Sequence, residues 1–197
     1  MFERINIFYE PLPESVSINN KEYGIITDFR EWIRFTDMLR DKKVPSGVKE
    51  LLALHMFDEP QKLSDVSMKE IIFAFMDFLS CKPCEQTIAS GDEQSDPVER
   101  GPEILSYKID APYIIAGFLQ CYGIDLLEIP YMHWWKFKML FDGLSEETTI
   151  KKMIYYRSVD LSEIKDKEER KRIRKIQQRI ALPQEIMSDE EIANVFA

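Results

Sequence analysis

Seven glycines in 197 residues are few for a chain built mainly of sheet, which needs turn residues about every ten positions. Three cysteines, an odd number, make no disulfide framework, and a reducing cytosol is the expected compartment. The first residues show no charged and then apolar stretch with a small-residue cleavage site. No apolar run is long enough to span a bilayer, so neither a signal peptide nor a membrane anchor is expected. A net charge of -9 is the wrong balance for a general nucleic-acid binder, whose phosphate contacts need a basic face. Gly-rich phosphate loops, His-Glu-x-x-His and nucleophile elbows are missing, and no pair of carboxylates is marked out by spacing. His55 and His133 have no paired nucleophile in view and read as hydrogen-bonded packing residues. The expectation is a protein without catalytic residues, without cofactor and without enzymatic activity.

What is present is an ordinary globular composition, 45% hydrophobic and 31% charged, arranged mostly in helical periods. Val16 and Ile18, then Tyr23 and Ile25, alternate on either side of an Asn19-Asn20-Lys21-Glu22 turn and predict a short hairpin. Asp28 opens a helix with Glu31 as its capping-box partner, and Phe29, Trp32, Ile33 and Leu39 face inward. Ser46 caps a short helix in which Val48, Leu51, Leu52 and His55 share a face. Ser67 and Glu70 form a capping box for a helix over 68–79 that is apolar around most of its circumference and is expected to be buried. Asp110 caps the next helix, Pro112 lies in its first turn and Gly123 ends it, with Ile114, Ile115, Phe118, Leu119 and Tyr122 as its core stripe. In the run 131–143, Trp134, Phe137 and Phe141 take one side and Trp135 and Met139 another. That places the largest share of core contacts there, between Pro130 in the first turn and Gly143 as a left-handed end. Ser145 starts a further helix burying Ile150, Met153 and Ile154. A charged helix runs from Asp166 to Ile180 on a thin stripe of Ile173, Ile176 and Ile180, with pairs Asp166–Arg170 and Glu168–Arg172.

Residues 85–103 hold six acids against one Arg, with Gly and Pro and almost no large apolar side chains, and read as a mobile acidic loop. The whole is a mainly α chain: a single helical domain over 1–197 of roughly seven helices, a short N-terminal hairpin, that loop and a C-terminal amphipathic extension over 184–197.

Three features carry candidate chemistry. Cys81-Lys82-Pro83-Cys84 has the spacing of a redox dithiol or half a zinc site. A redox motif wants a strand before and a helix after, and zinc wants two further ligands, so Cys81 and Cys84 are weak metal candidates beside a reduced thiol pair at a helix end. Residues 165–179 hold eight basic and three acidic residues, with Lys167, Arg170, Lys171, Arg174 and Lys175 as candidate partner contacts. A solvated face is the plainer reading, because acids interleave the bases and aromatics for stacking are absent; as a binding face, the helix would suit an acidic protein surface or the chain's own acidic loop over 85–103 as well as RNA or DNA. Ile192, Val195 and Phe196, behind a Ser188–Glu191 capping box, form an apolar side for docking on the core, on a partner or on another copy.

Thr27-Asp28-Phe29-Arg30-Glu31-Trp32-Ile33, Gly123-Ile124-Asp125-Leu126, His133-Trp134-Trp135-Lys136-Phe137-Lys138, Gly143-Leu144 and Tyr156-Arg157-Ser158-Val159-Asp160-Leu161 resemble the gene-product-fifteen family of siphophages and prophages. The resemblance marks Trp32, Trp134, Trp135, Phe137, Phe141 and Tyr156 as core and signature residues. Members of that family resemble tail assembly chaperones. The resemblance therefore implies a non-catalytic factor in the bacterial cytoplasm, absent from the mature virion, that keeps the tape-measure protein in solution and recruits major tail protein. A nucleic-acid-binding regulator using 165–179 and a small zinc or redox module on Cys81 and Cys84 stand as the alternatives.

Overall fold

A computed structural model describes residues 7–81 and 104–183, and over these the chain is mainly helical. Among the described residues seven α-helices follow a two-stranded antiparallel hairpin. The expected acidic loop, Cys84 and the C-terminal extension lie outside the described residues. The chain divides into two compact units, one drawing on 7–81 and 130–139, the other on 104–129 and 140–183.

In the first unit β1 (Ser15–Ile18) pairs with β2 (Lys21–Gly24), Val16 opposite Tyr23. The turn is tighter than expected: Lys21 and Glu22 belong to β2, and Asn19 and Asn20 alone form it with φ of 52° and 61°, the left-handed pair that matches strand twist and that Asn tolerates better than other side chains. A hairpin of this size is marginal alone. Here Val16 and Ile18 are buried, and the Asn19 amide donates to Glu70 Oε1 at 2.9 Å, tying the turn to the start of a helix.

That helix, α3 (Met68–Leu79), begins with the predicted Ser67–Glu70 capping box. α1 (Phe29–Arg40) begins at the predicted Asp28, whose carboxylate accepts from the Arg30 amide at 2.9 Å. Such a cap stabilises by about 1 kcal/mol. Glu31 does not complete a box but pairs with Arg34 one turn on. The core between α1 and α3 is aromatic. Trp32, wholly buried, meets Phe75 edge-on at 5.1 Å and Phe78 at 4.8 Å, and Phe35 takes the inward place expected for Ile33, which is half-buried.

In the second unit α4 (Tyr107–Tyr122) starts three residues before the expected Asp110. Ser106 is the cap, its hydroxyl accepting from the Ile109 amide, so Pro112 stands inside the helix rather than in its first turn. Gly123 ends α4 with φ 66°, as predicted, and its amide returns to Leu119 O. Gly117 is on the buried face, where an added Cβ would come within 3.2 Å of Leu144 and 3.5 Å of Ile150. Contact therefore runs along Asp110, Ile114, Gly117 and Phe118, and Leu119 and Tyr122, expected in the core, are exposed. α6 (Thr149–Ser158) is capped by Thr148 and not by Ser145, which serves the preceding turn instead. α6 buries Ile150 and half-buries Met153 and Ile154.

α5 (Trp134–Asp142) belongs to the first unit up to Met139 and to the second from Leu140. It starts after His133, well beyond Pro130, and among the described glycines the left-handed one is Gly123, not Gly143. α7 (Lys167–Ile180) follows Asp166, whose carboxylate caps the Glu169 amide. No helix among the described residues is long and apolar enough to cross a membrane.

Candidate partner-binding surfaces

The signature run 131–137 holds the first unit together. The Trp134 amide donates to Thr27 O at 2.7 Å and the Phe29 amide to Met132 O at 2.9 Å, so two of the stretches that carry the family resemblance pair through their backbones. Phe137 stacks on Phe29 at 4.6 Å. α3 ends with carbonyls that its own ladder cannot use, and the indoles of Trp134 and Trp135 take Leu79 O at 3.3 Å and Phe78 O at 2.8 Å. The third indole, of Trp32, donates to Ile26 O. His133 Nδ1 accepts from the Trp135 amide at 3.0 Å, which leaves the ring proton on Nε2 to donate to Pro13 O at 2.9 Å. Burial pushes the His133 pKa down, against the Pro13 hydrogen bond and the Glu14 charge, so the neutral ring is the folded form. This is the geometry of a helix cap. The packing role expected for His133 is what the geometry shows.

α2 (Ser46–His55) departs from expectation. Pro45 is its cap, and the inward residues are Lys49 and Ala53. Lys49 is 2% exposed and its ammonium donates to Leu39 O at 2.7 Å, a carbonyl of the last turn of α1. Burial lowers its pKa while Asp41 opposes that shift. This anchor sets the phase of α2 and turns Val48, Leu51 and Leu52 outward, at 44%, 68% and 39% exposure. Leu51, Leu52, Leu54, His55 and Pro60 line an open apolar depression of about 420 Å³. Phe73 of the neighbouring α3 is also exposed, although that helix was expected to be buried. Apolar helix faces of this kind mark contact surfaces in proteins.

In the second unit the polar centre is a buried pair. Arg157 Nη1 and Nη2 reach Asp110 at 2.6 and 2.9 Å, with side chains 5% and 0% exposed. Arg157 also donates to Ile180 O at 2.7 Å and to Ile104 O at 3.1 Å, and Asp110 accepts from the Ser106 amide. The guanidinium fork thus fastens the end of α7 and the start of α4 to α6. Tyr156 beside it is half-buried, and its carbonyl takes the Gln177 amide at 2.9 Å.

Of the candidate cations on α7, Lys167, Lys171, Arg174 and Lys175 are exposed, whereas Arg170 is half-buried and bonds to Ile164 O. The predicted Asp166–Arg170 and Glu168–Arg172 pairs do not form. Asp166 is taken by the cap, and Arg172 pairs with Glu169 at 3.4 Å. Trp32, Trp134, Trp135, Phe137 and Phe141 are all buried, as expected of core residues. Cys81 is buried with φ 47°, a left-handed residue past the end of α3. No group of three or more metal-ligating residues occurs among the described residues. Cys84 and the apolar trio Ile192, Val195 and Phe196 lie outside them.

Sequence reasoning missed Lys49 and the Asp110–Arg157 pair as inward groups. Helical phase held the signal: Lys49, Ala53 and Met56 form one stripe and Asp110, Ile114 and Gly117 another.

No match was found among curated proteins, and none among solved structures. The family model described as bacteriophage Gp15 protein matches residues 8–182, most of the chain and nearly all that is described. The paired segments 27–29 and 131–134 and the Arg157 knot all fall within that match, and the chain belongs to the bacteriophage Gp15 protein family.

Proposed function

We propose that this chain is a non-catalytic tail assembly chaperone that binds the phage tape-measure protein and helps recruit major tail protein in the host cytoplasm, leaving before the virion matures. Membership of the Gp15 family carries the reading. The apolar face of α2 is in keeping with it. A long helical client presents apolar stripes at three- and four-residue spacing, and Val48, Leu51 and Leu52 offer the same spacing beside an apolar depression. No reaction centre is needed for such a task. Co-expression with the tape-measure protein of the same phage tests it. A tape measure that becomes soluble and co-purifies with this chain, and loses both properties with Leu51→Glu, supports the reading. A tape measure that stays insoluble, or finished tails that contain this chain stoichiometrically, removes it.

A further inference from the structure

The sequence interleaves acids with the bases of α7, but the structure separates them. Asp166 is spent on the cap and Glu169 on Arg172, each within the first turns. Ile173 is buried, and Gln177 bonds the carbonyls of Tyr156 and Val159, so one side of α7 is fixed inward. The opposite side is exposed and carries Lys167, Lys171, Arg172, Arg174, Lys175 and Arg179 against Glu168 and the half-exposed Glu169 that pairs with Arg172. Apart from Arg172, none of those cations has a partner among the described residues. The fourteen residues of α7 make a rod of about 21 Å.

We propose that this outer face of α7 is a docking surface for an acidic polypeptide. Its cations recur about once per turn, near 5.4 Å, which is the spacing of carboxylates at three- and four-residue intervals on a facing helix. Charge complementarity alone would also admit nucleic acid, but two observations favour protein. α7 contains no aromatic residue on which bases of a single strand would stack. With these cations included the chain is still -9, so a duplex, at one charge per about 1.7 Å, meets repulsion from the rest of the molecule that a short acidic segment avoids. Since the inward side is held by Ile173 and Gln177, binding costs little ordering of the helix. The inference is independent of the tape-measure reading and of the α2 face.

The probe is fluorescein-labelled poly-L-glutamate of roughly 20 residues, titrated with the full chain and compared with a labelled duplex of about 20 base pairs, by anisotropy at about 50 and 300 mM NaCl. The expected result is poly-glutamate binding that weakens about tenfold or more at the higher salt, exceeds duplex binding, and is lost in K171E/R174E/K175E. All three positions are exposed, so circular dichroism of the variant should be unchanged. Should that variant misfold, the neutral pair K171Q/K175Q, expected to weaken binding at least about threefold, replaces it. No poly-glutamate binding at low salt, equal binding by the charge variants, or tighter binding to the duplex would each overturn the proposal.

Discussion

Arg157 shows how one side chain organises a local fold. Its fork meets both oxygens of a carboxylate that no solvent reaches, and its remaining donors close two chain segments. Two charges in such a place do not guarantee net stability, because desolvation opposes their attraction. Removing one of them is another matter, since it strands the other. Arg157→Ala and Asp110→Ala are each expected to cost about 3–5 kcal/mol in urea unfolding, whereas the double change D110L/R157M should recover most of that loss. If the double variant is as unstable as either single one, the two backbone contacts of Arg157 matter more than the ion pair. Asn20 gives a second expectation at this scale. Its φ of 61° suits Asn or Gly, so Asn20→Gly should be near neutral and Asn20→Val should lose about 1–2 kcal/mol, read by thermal melting.

At the scale of the element, α5 depends on a histidine for its cap. The Trp135 amide needs a lone pair on Nδ1, and the protonated ring has none. Burial holds the His133 pKa below its ordinary 6.5, so the unfolded chain takes up a proton first as pH falls. The contribution is therefore complete above about pH 6.5 and is lost as pH drops from there through the lowered folded value. Stability measured between pH 7.5 and 5.5 should fall in the wild type and fall less in His133→Gln, which is expected to be weaker at pH 7.5. A parallel slope in both would assign the dependence to other groups. Glu70 also titrates, its pKa lowered by hydrogen bonds from Asn19 and Ser67, but it shifts downward from 4.5 and so acts at lower pH.

The same elements show what could be read from the sequence. Local chemistry was legible wherever it is settled within a turn: the hairpin around Asn19 and Asn20, the Asp28 cap, the Ser67–Glu70 box and the Gly123 end all stand where side-chain type put them, whereas Asp166, expected to pair with Arg170, is the cap of α7. Facing was less legible, because it is settled by partners far along the chain. The inward phase of α2 follows from Lys49 finding Leu39 O, and the start of α4 follows from Asp110 turning toward Arg157. Neither partner is local. The α2 surface was accordingly read inside out, and the cationic side of α7 looked more neutral than it is.

For the whole molecule, each compact unit has its own centre: the aromatic cluster of Trp32, Phe75 and Phe78 in the first, the buried Asp110–Arg157 knot in the second, whose α4 also buries Ile114 and Phe118. Cooperative units of this kind open with their own free energies, and hydrogen exchange resolves them. Trp135→Phe deletes the indole donor to Phe78 O, a carbonyl that keeps the Cys81 amide at 3.3 Å, at a cost of about 1 kcal/mol. In that variant exchange should quicken in peptides covering 29–40 and 68–79. In Arg157→Ala it should quicken in 107–122 and 149–180. If both variants accelerate every peptide equally, the chain opens as one unit and the two centres are a feature of packing without thermodynamic consequence. If each accelerates only its own set, a substitution that loosens one centre leaves the other formed, and defects in client binding can then be traced to the α2 face or the α7 face separately.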